Sequence, residues 1–137
     1  MDIQIVNFSQ GPFNFNNVIW QELKNKENIS IDAMCQLRYS HNAEIAGIQF
    51  DFTIINEETL ILKDGFLFGL KIGNWVDFVA KTDLSEDKSA IIEILNFIWP
   101  AVIGVVASQT SSDNAFPLIL PAIDIEEYAK QVILKLT

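Results

Sequence analysis

Residues 98–128, IWPAVIGVVASQTSSDNAFPLILPAIDIEEY, decide how the rest of the chain is to be read. Trp99-Pro100 interrupts an apolar stretch of helical length. Proline lacks the amide hydrogen and its ring crowds the preceding turn, so a kink or break is expected at Asn96 to Trp99. The helix itself is predicted over about 85–111, with Ser85 as its cap and Glu86 and Asp87 at the positive end of its dipole. Asp124 then reads as an N-cap, and Glu127, three residues on, completes a capping box. Ile125, Tyr128, Ala129, Val132, Ile133 and Leu136 share one helical face, which predicts a second helix over about 124–136.

Upstream the period changes from helical to strand-like. Ile29, Ile31, Ala33, Cys35, Leu37 and Tyr39 alternate with Ser30, Asp32, Met34, Gln36 and Arg38, as a half-buried strand requires. A second strand follows from Ile45 to Ile55. Lys63-Asp64-Gly65 reads as a hairpin turn between Leu60–Leu62 and a long strand that begins at Phe66. That strand puts Phe66, Phe68, Leu70, Ile72, Val76 and Phe78 on one face and leaves Trp75 on the other. Asn17 to Lys24 is predicted as an earlier strand, and residues 2–8 as a short edge strand. The fold class is therefore α+β. An antiparallel four-stranded sheet over about 2–79, five-stranded with the edge, is followed by two C-terminal helices packed on one face. No repeat or Gly/Pro/Ser-rich linker divides residues 1–137, so one domain is expected.

Composition narrows the function classes. A formal charge of −9 with only nine Lys and Arg leaves no basic stripe to displace counterions from phosphates, which argues against nucleic acid. The apolar run Ala90 to Ala107 contains Glu93, Asn96 and Pro100, costly at a bilayer centre, so a buried or interface helix is expected and not a membrane insertion. With no secretory signal at the N-terminus, a cytoplasmic protein is expected. Half of the residues are hydrophobic, which fits either a greasy monomer core or a subunit buried against its own copies.

Catalytic chemistry is sparse. His41 is the only histidine and sits between Ser40 and Asn42 in a turn-like context. Cys35 alternates with apolar residues and reads as a small hydrophobe. The carboxylate pairs Glu57-Glu58, Glu86-Asp87 and Glu126-Glu127 fall at turns and helix starts, with neither calcium-loop nor nucleotide-motif spacing. No catalytic residue, metal or cofactor is expected, and binding is favoured over catalysis.

The C-terminal third resembles the SecB family of protein-export chaperones and its SecB-like relatives. The resemblance rests on Pro100 after an aromatic residue, Phe116, Pro117, Leu120 and Pro121 in the connector, Asp124 at the cap and Tyr128 in the last helix. Ala101-Val102-Ile103 departs from the Tyr and Arg usual after the helix proline. The resemblance implies an ATP-independent holdase that takes non-native or precursor polypeptides in apolar grooves, with SecA as a further partner and a dimer or tetramer as its assembly. Its runner-up is a SecB-fold adaptor holding one specific folded partner, for example in a toxin–antitoxin system. A small-ligand or enzymatic domain ranks last. Groove candidates are Trp20, Trp75, Phe78, Phe97 and Trp99. Ala101, Gly104 and Ala107 are candidates for an oligomer interface, although Gly104 is equally a flexible point after Pro100.

Overall fold

The computed structural model describes residues 1–22, 29–84, 86–111 and 117–136. In chain order the elements are β1 (Ile3–Gln10), β2 (Asn14–Phe15), α1 (Asn17–Glu22), β3 (Ile29–Tyr39), β4 (Ile45–Asn56), β5 (Thr59–Ile72), α2 (Trp75–Asp83), α3 (Ser89–Thr110), α4 (Ile125–Ala129) and β6 (Ile133–Leu136). The chain is thus α+β, with a six-stranded sheet ordered β1-β5-β4-β3-β6 and the short β2 also paired to β5. All pairings are antiparallel except β3 with β6.

Alternation builds a two-faced sheet. Leu37, Cys35 and Ala33 of β3 stand opposite Ile48, Phe50 and Phe52 of β4. These in turn stand opposite Phe68, Phe66 and Asp64 of β5. The aromatic members interlock: Phe50 and Phe52 stack at 5.8 Å, and Phe66 lies 5.6 Å from both Phe52 and Phe68. Each such ring contributes about 1.5–3 kcal/mol by leaving water. Ile91, Ile94, Leu95, Ile98, Trp99, Val102 and Val106 of α3 close over this layer in the same core. α3 is long and apolar enough to cross a membrane by length and composition, and these side chains are spent on the core. The opposite sheet face is polar, where Arg38 donates to Gln36 and Gln49, and Gln49 donates to Asp51.

Several expected elements differ. Residues Asn17–Glu22 form a helix and not a strand (Leu23 and Lys24 lie outside the described residues), because Asn16 caps them. Its Oδ1 accepts from the Ile19 N–H at 3.1 Å and its carbonyl from the Trp20 N–H at 3.1 Å. Lys63-Asp64-Gly65 is no turn. β5 runs straight through it, and Thr53, Phe52 and Asp51 of β4 pair with these three residues in order. The reversal falls instead at Glu57-Glu58, with Glu57 in left-handed geometry at φ 56°. At Gly65 a Cβ would lie 2.9 Å from the Asp51 Oδ1, so any larger residue there would have to displace that carboxylate. The long strand ends at Ile72, where the Gly73 N–H donates to the Asp2 carbonyl and Asn74 turns left-handed at φ 52°. Trp75 and Phe78 therefore sit on a helix, both buried on one side of it.

The C-terminal helices also differ. α3 starts at Ser89 (Ser85 lies outside the described residues), and the Asp87 carboxylate accepts from both the Ser89 N–H and its hydroxyl at 2.9 and 2.6 Å. Those bonds hold the Asp87 carboxyl below the usual range. Pro100 lies inside α3 without ending it. Asn96 and Pro100 are both exposed, so the carbonyl that loses its partner faces solvent. The second helix is only Ile125–Ala129, and Ile133–Leu136 form β6, parallel to Gln36–Tyr39. A free sheet edge offers this β-branched, alternating tail more backbone pairing than another helical turn does.

Asp124 caps α4 by accepting from the Glu127 N–H at 3.3 Å. The Glu127 carboxylate turns to Lys130 at 2.9 Å and does not close the box. Asp124→Ala is expected to cost about 1 kcal/mol in urea unfolding. A stability unchanged within a few tenths would show that the cap contributes nothing.

Candidate groove beside the third strand

Two strands border β3, but unequally. β4 pairs with it from Ile29 to Arg38, whereas β6 covers only Gln36–Tyr39. Among the described residues, the outer edge of Ile29–Cys35 has no ladder partner. Within this seven-residue stretch the alternate residues that do not bond to β4 direct their main-chain donors and acceptors to that side, with no ladder partner among the described residues.

A cavity of about 260 Å³ opens beside this edge. Ile31, Asp32 and Ala33 of β3 form one wall, and Leu120, Pro121 and Ile123 of the connector form another. Trp99 of α3 and Tyr128 of α4 form its aromatic end, their rings 6.2 Å apart. Trp99 is backed by Phe50 and Phe52 at 6.4 and 6.2 Å, so the core holds it in place. The Trp99 Nε1 and the Tyr128 hydroxyl are both buried without a hydrogen-bond partner. Burial, with Cys35 and Asp32 nearby, pushes the Tyr128 hydroxyl up, so it stays a neutral donor. Buried donors left unmade cost about 1–3 kcal/mol each, which a bound carbonyl oxygen would recover. A strand edge beside a largely apolar cavity suits an extended chain.

The residues singled out from sequence divide. Trp99 lines the cavity. Trp20, Trp75 and Phe78 lie in the core, and the Trp75 Nε1 donates to the Ser40 carbonyl at 3.2 Å. Phe97 is exposed on the outer side of α3. Ala101 and Ala107 are half-buried there, and Gly104 faces open space with nothing within 4 Å of where a Cβ would lie. Leu120, Pro121 and Tyr128 line the cavity, Asp124 caps the helix that carries Tyr128, and Phe116 lies outside the described residues. Sequence reasoning missed Ile31, Ala33, Ile123 and Gln131 as lining, since the wall they form depends on where β6 stops.

Two polar groups outside the groove have structural roles. His41 lies in the β3–β4 turn with its Nε2 2.9 Å from Asp83 Oδ2, and the Tyr39 hydroxyl donates to Asp83 Oδ1 at 2.7 Å. Burial, with that bond, pushes the Tyr39 hydroxyl up to about 12. Cys35 is buried, its thiol pushed up to about 12 by desolvation. Among the described residues, no group of three His, Cys, Asp or Glu side chains is placed to hold a metal ion.

No family model matches the chain, and no curated protein matches it. Several solved chains match it, among them the following two. One is the Mycobacterium tuberculosis Rv1957 SecB-like chaperone, solved in complex with a ChAD peptide from the Rv1956 HigA1 antitoxin. It is 11% identical, with a TM-score of 0.50 over 89% of this chain and 90% of that one. The other is a protein of unknown function from Streptococcus agalactiae, 11% identical, with a TM-score of 0.35 over 89% and 94%. The first likeness shows that the chain has a SecB-like fold.

Proposed function

We propose that this protein binds non-native polypeptide in extended form along β3, as an ATP-independent holdase and not as an enzyme. The free edge of Ile29–Cys35, running beside the Trp99–Tyr128 cavity, carries the proposal. Main-chain pairing gives sequence-tolerant affinity, and the cavity takes one apolar side chain of the bound segment. A homo-oligomer, dimer or tetramer, in the cytoplasm is part of this reading, and two features of α3 support self-association. From Ile94 to Thr110 α3 carries no charged residue, and its outer side shows Phe97, Ala101, Gly104 and Ala107. Delivery to SecA is a further part of this reading that rests on the family resemblance alone. A second reading, a dedicated adaptor for one partner, is favoured by the antitoxin peptide held by the similar chaperone.

Reduced, carboxymethylated lactalbumin, which stays unfolded, is the probe. The protein is expected to bind it without nucleotide and to suppress aggregation of several chemically denatured proteins. Tyr128→Phe is expected to weaken binding roughly threefold while leaving the fold as stable or slightly more so, because it removes an unpartnered hydroxyl. Binding of one native protein at fixed stoichiometry, with no affinity for unfolded chains, would favour the adaptor. Failure to bind either would reject both readings.

A further inference from the structure

Asp64 is the least expected residue of the core. It is 2% exposed and stands on the helix-covered face of β5, between Leu62 and Phe66 and directly opposite Phe52. Neither carboxylate oxygen has a hydrogen-bond partner. The adjacent Gly65 N–H favours the ionised form only in part, without making a well-formed bond, and burial outweighs it.

Among the described residues, no counter-charge faces it. On β4 and β5 the neighbouring charges, Asp51 and Lys63, alternate to the opposite face. Residues 3 to 17, which supply β1 and β2, contain no titratable side chain. α1 carries only Glu22. α3 carries none after Glu93, which lies 3.6 Å from the N-terminal amine. An ionised carboxylate in such a place has to reach water or be neutralised.

The sheet offers one short route out. β1 pairs with β5 as far as Gln10 opposite Phe66, and β2 resumes at Asn14 opposite Lys63. Pro12 and Phe13, beside Asp64, make no ladder pair, and Pro12 has no N–H to give. The break is pinned only by the Gly11 N–H on the Gly65 carbonyl at 2.7 Å, by the Asn16 N–H on the Ile61 carbonyl at 2.8 Å and by the two-residue β2.

We propose that Asp64 gates the β1–β2 edge of the sheet. With the acid neutral the edge is closed, and when the carboxylate ionises the segment 10–15 swings away and lets water reach it. Burial pushes the Asp64 carboxyl up to about 6, so the change falls just below neutral pH. The open form exposes the buried rings of Phe52 and Phe66, which lie 5.6 Å apart beneath this corner. The gate stands on β5, whatever the groove on β3 binds.

Amide hydrogen exchange of the full chain tests it, read as protection factors so that the intrinsic pH dependence is removed. Between about pH 5 and 7.5 the protection of residues 10–15 is expected to fall about tenfold or more, while that of β4 stays constant. Asp64→Asn is expected to keep the segment protected at both pH values. Asp64→Leu gives a second variant that cannot ionise, should the asparagine fold poorly. A wild-type segment with flat protection, or a loss that persists in both variants, would overturn the proposal. Neither result depends on whether the protein binds polypeptide.

Discussion

Trp99→Ala is expected to lose polypeptide binding by about tenfold or more and to lower stability by about 3 kcal/mol. Both effects follow from one position. The ring is 7% exposed, packs on Phe50, Phe52 and Tyr128, and forms the inner end of the groove. Removing it leaves a hole in the aromatic layer and widens the pocket that would grip an apolar side chain. Trp99→Phe separates the two. It keeps an aromatic ring in the layer and removes the indole donor with part of the ring volume, so it is expected to cost less stability than Trp99→Ala while binding still weakens. Urea unfolding and fluorescence anisotropy with the labelled unfolded probe read the two quantities independently. Unchanged binding in Trp99→Ala at a pH where it remains folded would remove the groove from the account.

The second large effect is a stability that declines with rising pH because of Asp64. Burial holds it at about 6 in the folded chain, above the ordinary aspartate value of 3.8, so the folded chain keeps a proton that the unfolded chain has lost. Below the unfolded value both states are protonated and the full stability is present. Stability is then lost as pH rises through the folded value, and above it this group adds no further slope. The loss amounts to at most about 3 kcal/mol, and less if the edge opens to hydrate the carboxylate. Asp64→Asn removes that slope. The difference between wild type and variant cancels the contribution of the remaining acidic groups, so it is expected to grow through this window and to favour the variant at about pH 8. A constant difference would show that Asp64 does not titrate between folded and unfolded states.

Asp64 also shows where sequence reading failed. Lys-Asp-Gly has turn chemistry, and only the register of β4, fixed by the reversal at Glu57, shows that the aspartate lies inside a strand. β3 and β4 were legible because their apolar and polar residues alternate, although on β3 only Cys35, Leu37 and Tyr39 of the apolar face are fully buried. The Asp124 cap was legible from four residues of local chemistry. By contrast, Ile125 to Leu136 satisfied a helical period that tertiary pairing overrode after Ala129. Tyr128 and Trp99 were legible as aromatics of interest. Ile31 and Ala33 opposite them were not, because a strand edge becomes a site only when its neighbour stops short. Trp75 looked exposed on a strand and is buried on a helix, since the break at Gly73-Asn74 reset the period.

The groove is tested most directly by placing a photo-crosslinking amino acid at Ile31 in one variant and at Phe97 in another. Each is then irradiated with the unfolded, labelled lactalbumin. Ile31 lies on the free edge of β3, and Phe97 is exposed on the outer side of α3. The account predicts strong adducts from Ile31, suppressed by excess unlabelled unfolded chain, and few from Phe97. Adducts mainly from Phe97, or none competed from Ile31, would contradict it.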